Sequence, residues 1–242
     1  MIAKVLIDNI TKNDLICEWG LSFYIEYNGH KILLDTGASG NFAENAKQMG
    51  IHMDEIEYGV LSHAHYDHAD GMPTFFEENK TAKFYLRKGA GENCYGKKNF
   101  FMYKYNGIQE GILGNYAERI EYVEGDYKLL EGVYLIPHKV QGLEAIAKKA
   151  SLFVKENGKM FPDDFAHEHS LVFDTPKGLV VFNSCSHGGV DNIITEVLAT
   201  FPEKEICAYI GGLHLYKATE EDVRALAKRT KETGITKIIT GH

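Results

Sequence analysis

The stretch Ser62-His63-Ala64-His65-Tyr66-Asp67-His68-Ala69-Asp70-Gly71 places three histidines and one aspartate within six positions. It follows a short apolar run at 59–62 that reads as a strand, and a helix is expected to begin within it. Imidazole nitrogen and carboxylate oxygen are the donors that zinc, iron and manganese share. Residues two apart in an extended segment point the same way, so His63 and His65 can grip one ion. Asp67 and His68, beyond a turn, can reach a second. The competing reading, a histidine-rich surface loop, does not account for the cluster's place between a strand and a helix.

Outward from this cluster the pattern is mixed. Strands are expected at 2–8, 21–27 and 31–34, the last two joined by the hairpin signal Asn28-Gly29. Phe42, Ala46 and Met49 share one helical face within 40–49. Further strands are expected at 83–86, 119–123 and 133–136. A second hairpin brackets Thr175-Pro176-Lys177-Gly178, between strands at 170–174 and 179–183. Val190, Ile193, Ile194, Val197, Leu198 and Phe201 then fall at helical spacing. A strand at 206–210 ends in Gly211-Gly212, Thr219 with Asp222 opens a helix that stops near Gly234, and 236–240 reads as the last strand. Two packed sheets covered by outer helices fit this order, an α/β protein with one domain over residues 1–242. The stretches 87–116 and 138–167 read as irregular insertions, and loops of that length tend to be functional.

The bulk numbers narrow the function class. The net charge of -8 argues against a broad nucleic-acid or membrane footprint and leaves a small molecule as the expected partner, with a homo-oligomer left open. Cys17, Cys94, Cys185 and Cys207 are scattered without zinc-finger or redox spacing, as expected for reduced thiols in a cytoplasmic protein. Residues 1–8 read as a strand rather than a signal peptide, and no segment is long and apolar enough to span a membrane.

His63, His65, Asp67 and His68 match the His-x-His-x-Asp-His hallmark, and Leu34-Asp35-Thr36-Gly37 matches a second hallmark, of the metallo-β-lactamase superfamily, which this sequence therefore resembles. The resemblance implies a four-layer αβ/βα sandwich with metals at one edge, between the two sheets. It also implies that Asp35 supports the histidine loop without having to touch metal. Ser184-Cys185-Ser186-His187-Gly188-Gly189, Gly211-Gly212-Leu213-His214-Leu215, Thr240-Gly241-His242 and Pro162-Asp163-Asp164-Phe165 ahead of His167-Glu168-His169 resemble one subgroup. That subgroup is named after dihydropterin–ribofuranosylaminobenzene phosphate synthase.

One departure from the superfamily pattern matters. The strand at 179–183 leads into Ser184-Cys185 with no metal-bridging carboxylate. Cys185 stands near the bridging position and His187 two residues on; His187 is favoured as the ligand, with Cys185 packed behind it or touching one ion. His167, Glu168 and His169 compete as the third ligand of the first ion. His242 matches the last metal ligand of the superfamily, and a chain that stops inside its site is expected to continue. His214 is either a substrate or metal contact or a core or helix-capping residue. The aromatic and basic run at 94–105 is either a lid over the substrate or a loop packed down by its own rings.

The expected activity is that of a metal-dependent hydrolase or group-transfer enzyme acting on a small phosphate-bearing, pterin-like substrate, through a metal-activated water or a metal-held leaving group. The metal set is His63, His65, Asp67, His68, His187 and His242; Asp67 and His214 are the catalytic candidates. One or two divalent ions are expected, zinc first, with iron or manganese as alternatives. Non-haem iron redox chemistry is the second reading, weakened because its flavin-dependent branch carries glutamate where this chain has His65. A metal-bound sensing protein without turnover is the third.

Overall fold

The structure, a computed structural model, describes residues 1–242 except Lys12 and Phe100. The chain opens with an antiparallel meander of β1 (Ile2–Ile7), β2 (Ser22–Tyr27) and β3 (His30–Leu34). Its second turn is Asn28-Gly29 with φ of 51° and 84°, the left-handed pair that a two-residue hairpin requires. α1 (Asn41–Gln48), β4 (Tyr58–Val60), α2 (Tyr66–Ala69), α3 (Met72–Glu78) and β5 (Lys83–Arg87) follow. β3, β4 and β5 are parallel neighbours, so the intervening helices serve as crossovers. Next come β6 (Cys94–Asn99), β7 (Met102–Tyr105), α4 (Ile112–Asn115) and β8 (Ile120–Val123). β8 completes a sheet of order β1-β2-β3-β4-β5-β8.

The second half supplies β9 (Tyr127–Leu130), β10 (Val133–Pro137), α5 (Glu144–Ala150), β11 (Leu152–Glu156), β12 (Lys159–Pro162), β13 (His169–Thr175) and β14 (Gly178–Phe182). α6 (Val190–Thr200), β15 (Ile206–Ile210), α7 (Glu220–Glu232) and β16 (Ile238–Ile239) close the chain. The second sheet has the order β16-β15-β14-β13-β10-β9.

Apolar burial stacks these elements into layers. Phe23, Ile25 and Leu34 from the first sheet meet Leu135, Phe173 and Phe182 from the second in one buried cluster. Phe42 of α1 and Phe75 and Phe76 of α3 cover the outer face of the first sheet. Ile193, Ile194 and Val197 of α6 cover that of the second. The result is the expected α/β architecture, an αβ/βα sandwich of four layers. The parallel strands bring their carboxyl ends, at β3 and β4 in one sheet and β14, β15 and β16 in the other, to the segments that carry Asp35, His63, Cys185, His214 and His242.

Two expectations need correction. The stretches 87–116 and 138–167 are not irregular: β6, β7, β11 and β12 pair into a third, four-stranded sheet of order β12-β11-β6-β7. Tyrosines alternating with lysines make no apolar run, and β6 finds β11 far along the chain, so neither strand shows locally. The rings at 94–105 pack on neighbours in this sheet, Tyr95 on Tyr105 and Tyr103 on Phe153, each pair with centroids 5.2 Å apart. Phe100, part of the expected lid, lies outside the described residues. The last strand covers only Ile238–Ile239 of the expected 236–240. Among the described residues no helix is long and apolar enough to cross a membrane.

The ring of Phe182 is fully buried and meets Phe23 and Phe173 edge-on at 5.5 and 5.7 Å. Phe182→Ala leaves a void between the sheets and should cost about 3–5 kcal/mol. Denaturant unfolding should show a lower midpoint at unchanged slope.

Candidate metal centre

Asp35 is the hub on which the histidine loop is built. The residue is fully buried, at φ 60° just past β3. Its Oδ1 accepts the Ser62 amide at 2.7 Å; its Oδ2 accepts the Ser62 hydroxyl at 2.7 Å and His68 Nδ1–H at 2.9 Å. The Ser62 hydroxyl has one proton, and Asp35 takes it. Ser62 Oγ therefore accepts from His63 Nδ1–H at 2.8 Å. One carboxylate so fixes the tautomer of two imidazoles, leaving Nε2 of both His63 and His68 as lone-pair donors.

The imidazoles gather in two groups. In the first group His63, His65 and His187 present ring centroids 4.7–4.8 Å apart, with His63 Nε2 and His187 Nε2 separated by 3.2 Å. His65 Nε2 is buried with no hydrogen-bond partner among the described residues. Burial foremost, then the neighbouring imidazoles, hold all three pKa values well below the usual histidine range. In the second group His68 Nε2 and His242 Nε2 also stand 3.2 Å apart. His242 Nδ1–H donates to Asn9 Oδ1 at 3.0 Å, and that oxygen also accepts the Gly20 amide. Its Nε2 is thus a lone pair as well. Two buried lone pairs at this distance need a positive charge between them, a proton or a metal ion. Asp67 Oδ2 is 3.6 Å from His242 Nε2 and 3.9 Å from His68 Nε2, a third donor around the same point.

Cys185 lies between the groups. Its sulfur falls within 4.8 Å of the donor atoms of His63 and His187 and, equally, of His68 and His242. Without a cation, burial keeps the thiol protonated and its pKa well up. The donor chemistry, imidazole nitrogens around a shared thiol with one carboxylate, fits two divalent ions. His214 (φ 47°) sits at the edge, its ring 4.3 Å from that of His187 and its Nδ1 3.6 Å from Cys185 Sγ. Burial lowers its pKa to about 4, so it is neutral at pH 7.

None of His167, Glu168 and His169 shares a donor group with His63; the nitrogen beside His63 Nε2 is that of His187, 3.2 Å away. His167 lies behind His65, donating from Nε2 to Asp163 at 2.9 Å and accepting the Ala64 amide at Nδ1. With His65, Cys94 and Asp163 it forms a buried cluster on the far side of the first group. His169 opens β13 and pairs with Pro137. Glu168 Oε2 accepts the His187 amide at 3.1 Å, while its Oε1 accepts from His138 Nε2 at 3.1 Å. His138 Nδ1 donates to Glu196 of α6 at 3.0 Å. Gly188 leaves room for this chain, since a Cβ there would stand 2.3 Å from the His138 ring. Sequence reasoning missed His138 and Glu196, which carry no local signal, and Ser62, whose place before His63 offered one.

The family model of the metallo-beta-lactamase superfamily matches residues 20–147. This chain belongs to that superfamily. It is 30% identical to the 7,8-dihydropterin-6-methyl-4-(beta-D-ribofuranosyl)-aminobenzene-5'-phosphate synthase of Methanocaldococcus jannaschii, over 92% of this chain and 80% of the synthase. An uncharacterized protein of the same organism is 26% identical over 88% of this chain and 79% of its own length. Among solved structures, Tm1679, described as a metal-dependent hydrolase of the beta-lactamase superfamily, superposes with a TM-score of 0.82 at 28% identity, covering 99% of this chain and 87% of Tm1679.

The Glu196–His138–Glu168 chain has a pH signature. Burial works against a charged His138, but the two carboxylates outweigh it and raise its pKa from 6.5 to about 9. The folded pKa is the higher one, so the stabilisation is complete below about 6.5 and is lost as pH rises through about 9. Unfolding free energy measured from pH 6 to 10 should decline across that window by up to about 3 kcal/mol. His138→Gln should flatten the decline; an unchanged slope in the variant would show that His138 is neutral in the fold.

Proposed function

We propose that this protein is a metal-dependent hydrolase or group-transfer enzyme acting on a small phosphate-bearing substrate, with a pterin-like molecule as the class to test first. The observation that carries the metal reading is the pair of opposed nitrogens on His68 and His242, beside which His63, His65 and His187 crowd their buried imidazoles together. The substrate class rests on the name of the 30% identical methanogen synthase.

His63, His65 and His187 would hold one ion and Asp67, His68 and His242 the other, with Cys185 shared. Neutral imidazole is the form that ligates, and burial keeps these rings neutral at pH 7 apart from His68, which Asp67 and Asp35 pull towards the charged form against its burial. Zinc suits this mixture of nitrogen, sulfur and oxygen donors, with iron and manganese as alternatives. Bound there, divalent ions would acidify a water and polarise a phosphoryl or carbonyl oxygen. Asp67, whose pKa is raised by burial, would take up a proton or orient the attacking group. His214 would donate a hydrogen bond to charge developing on the substrate. The side chains account equally for attack by water and for displacement of diphosphate by an amine.

Two measurements test this. Titration of metal-free protein with zinc should show two steps; His187→Ala should remove one, while Cys185→Ala should weaken both. A Cys185→Ala titration identical to that of the native chain would remove the thiol from the centre. On a panel of phosphoesters and pterin diphosphates, Asp67→Asn should lower turnover by ~10²-fold or more with the fold intact. Native turnover in that variant would rule out a role for the carboxylate.

A further inference from the structure

The metal-centre reading leaves two large rings at the mouth of the site unexplained. Trp19, the sole tryptophan of the chain, is 48% exposed, and Tyr216 is 59% exposed. Exposed aromatics that adjoin one another at a buried polar centre, rather than lying singly, point to a ligand contact. The two come from opposite halves of the molecule, Trp19 from the loop before β2 and Tyr216 from the loop after β15. They meet edge to face, centroids 5.5 Å apart at 78°.

Both rings are tied to the centre. The Trp19 ring lies 5.7 Å from that of His242, and its indole N–H is near enough to the Asp67 carboxylate to favour its charged form against burial. Gly20 lets this loop press onto the histidine segment, because a Cβ there would stand 2.5 Å from the Asp67 carbonyl oxygen. Tyr216 packs 5.2 Å from His214, and the ammonium of Lys217 lies 5.1 Å over its ring. Two rings at nearly a right angle, each about half exposed, make a corner that a third ring can approach from solvent. A flat conjugated ring gains from stacking on one wall and meeting the other edge-on. An aliphatic ligand gains little from that shape.

We propose that Trp19 and Tyr216 form the recognition corner for a planar, conjugated nitrogen heterocycle of the substrate, with Lys217 facing its anionic substituent. This rests on the metal-centre reading above, since it is that centre which would act on the group carried by the ring. It extends that reading by assigning ring recognition to residues that hold no metal.

The test is calorimetric binding to the zinc-loaded protein of two probes, 6-hydroxymethylpterin and ribose 5-phosphate, with Trp19 emission as a second readout. The native chain should bind the pterin with quenching of that emission. Trp19→Leu and Tyr216→Leu should each weaken pterin binding by about tenfold or more, the scale of losing one stacked base. Ribose 5-phosphate should bind all three proteins alike. Trp19→Phe, which keeps a ring but loses the indole N–H beside Asp67, should stay within about threefold of the native chain. If it falls as far as Trp19→Leu, the indole acts only through Asp67 and the corner is refuted. Zinc uptake with no pterin binding, or equal pterin affinity in Tyr216→Leu, would also overturn it. Failure of zinc uptake in the native chain would strike the metal-centre reading instead.

Discussion

The Asp35 carboxylate is the constraint on which the centre depends. A buried carboxylate is tolerated only where donors saturate it, and here Ser62 and His68 do so. Each donor is then committed in direction, so the hydrogen-bond chain Asp35–Ser62–His63 and the bond Asp35–His68 decide which nitrogen of each imidazole is bare. The hallmark histidines owe their chemistry as much to this residue, remote from substrate, as to their own spacing.

The second sheet holds its contribution differently. There the turn carrying Cys185 and His187 is held by the amide of His187 on Glu168, and Glu168 is held by His138, which Glu196 anchors to α6. An imidazolium flanked by two carboxylates is favourable in a buried place only while all three are present, since removing one leaves an uncompensated charge. The first group of imidazoles thus joins His63 and His65, set through Asp35 and Ser62, to His187, set through the second sheet's ion chain.

Much of this was legible in the sequence because it is local. The His-x-His-x-Asp-His run, the Asn28-Gly29 hairpin and the helical spacing from Val190 to Phe201 each report on neighbours within a few residues. His187 over His167, Glu168 and His169 was not legible in the same way: all four sit near strand ends, and only the packing of β14 against β13 turns His187 towards His63 and His167 behind His65. The sheet of β6, β7, β11 and β12 was missed because its key pairing is between distant segments with no apolar signature. Trp19 escaped notice for a similar cause, as its importance comes from Asp67, His242 and Tyr216, none of them adjacent in sequence.

The cluster of Phe23, Phe173 and Phe182 between the sheets has a consequence of another kind. His63, His65, Asp67 and His68 ride on one sheet, Cys185, His187, His214 and His242 on the other. The oily seam between the sheets is therefore the ruler that sets the gap across which the two sets of donors face each other. Either half of the gene, expressed alone, would encode half a coordination set and an exposed apolar face. A change in the seam therefore shifts the centre as well, because it moves one set of donors against the other.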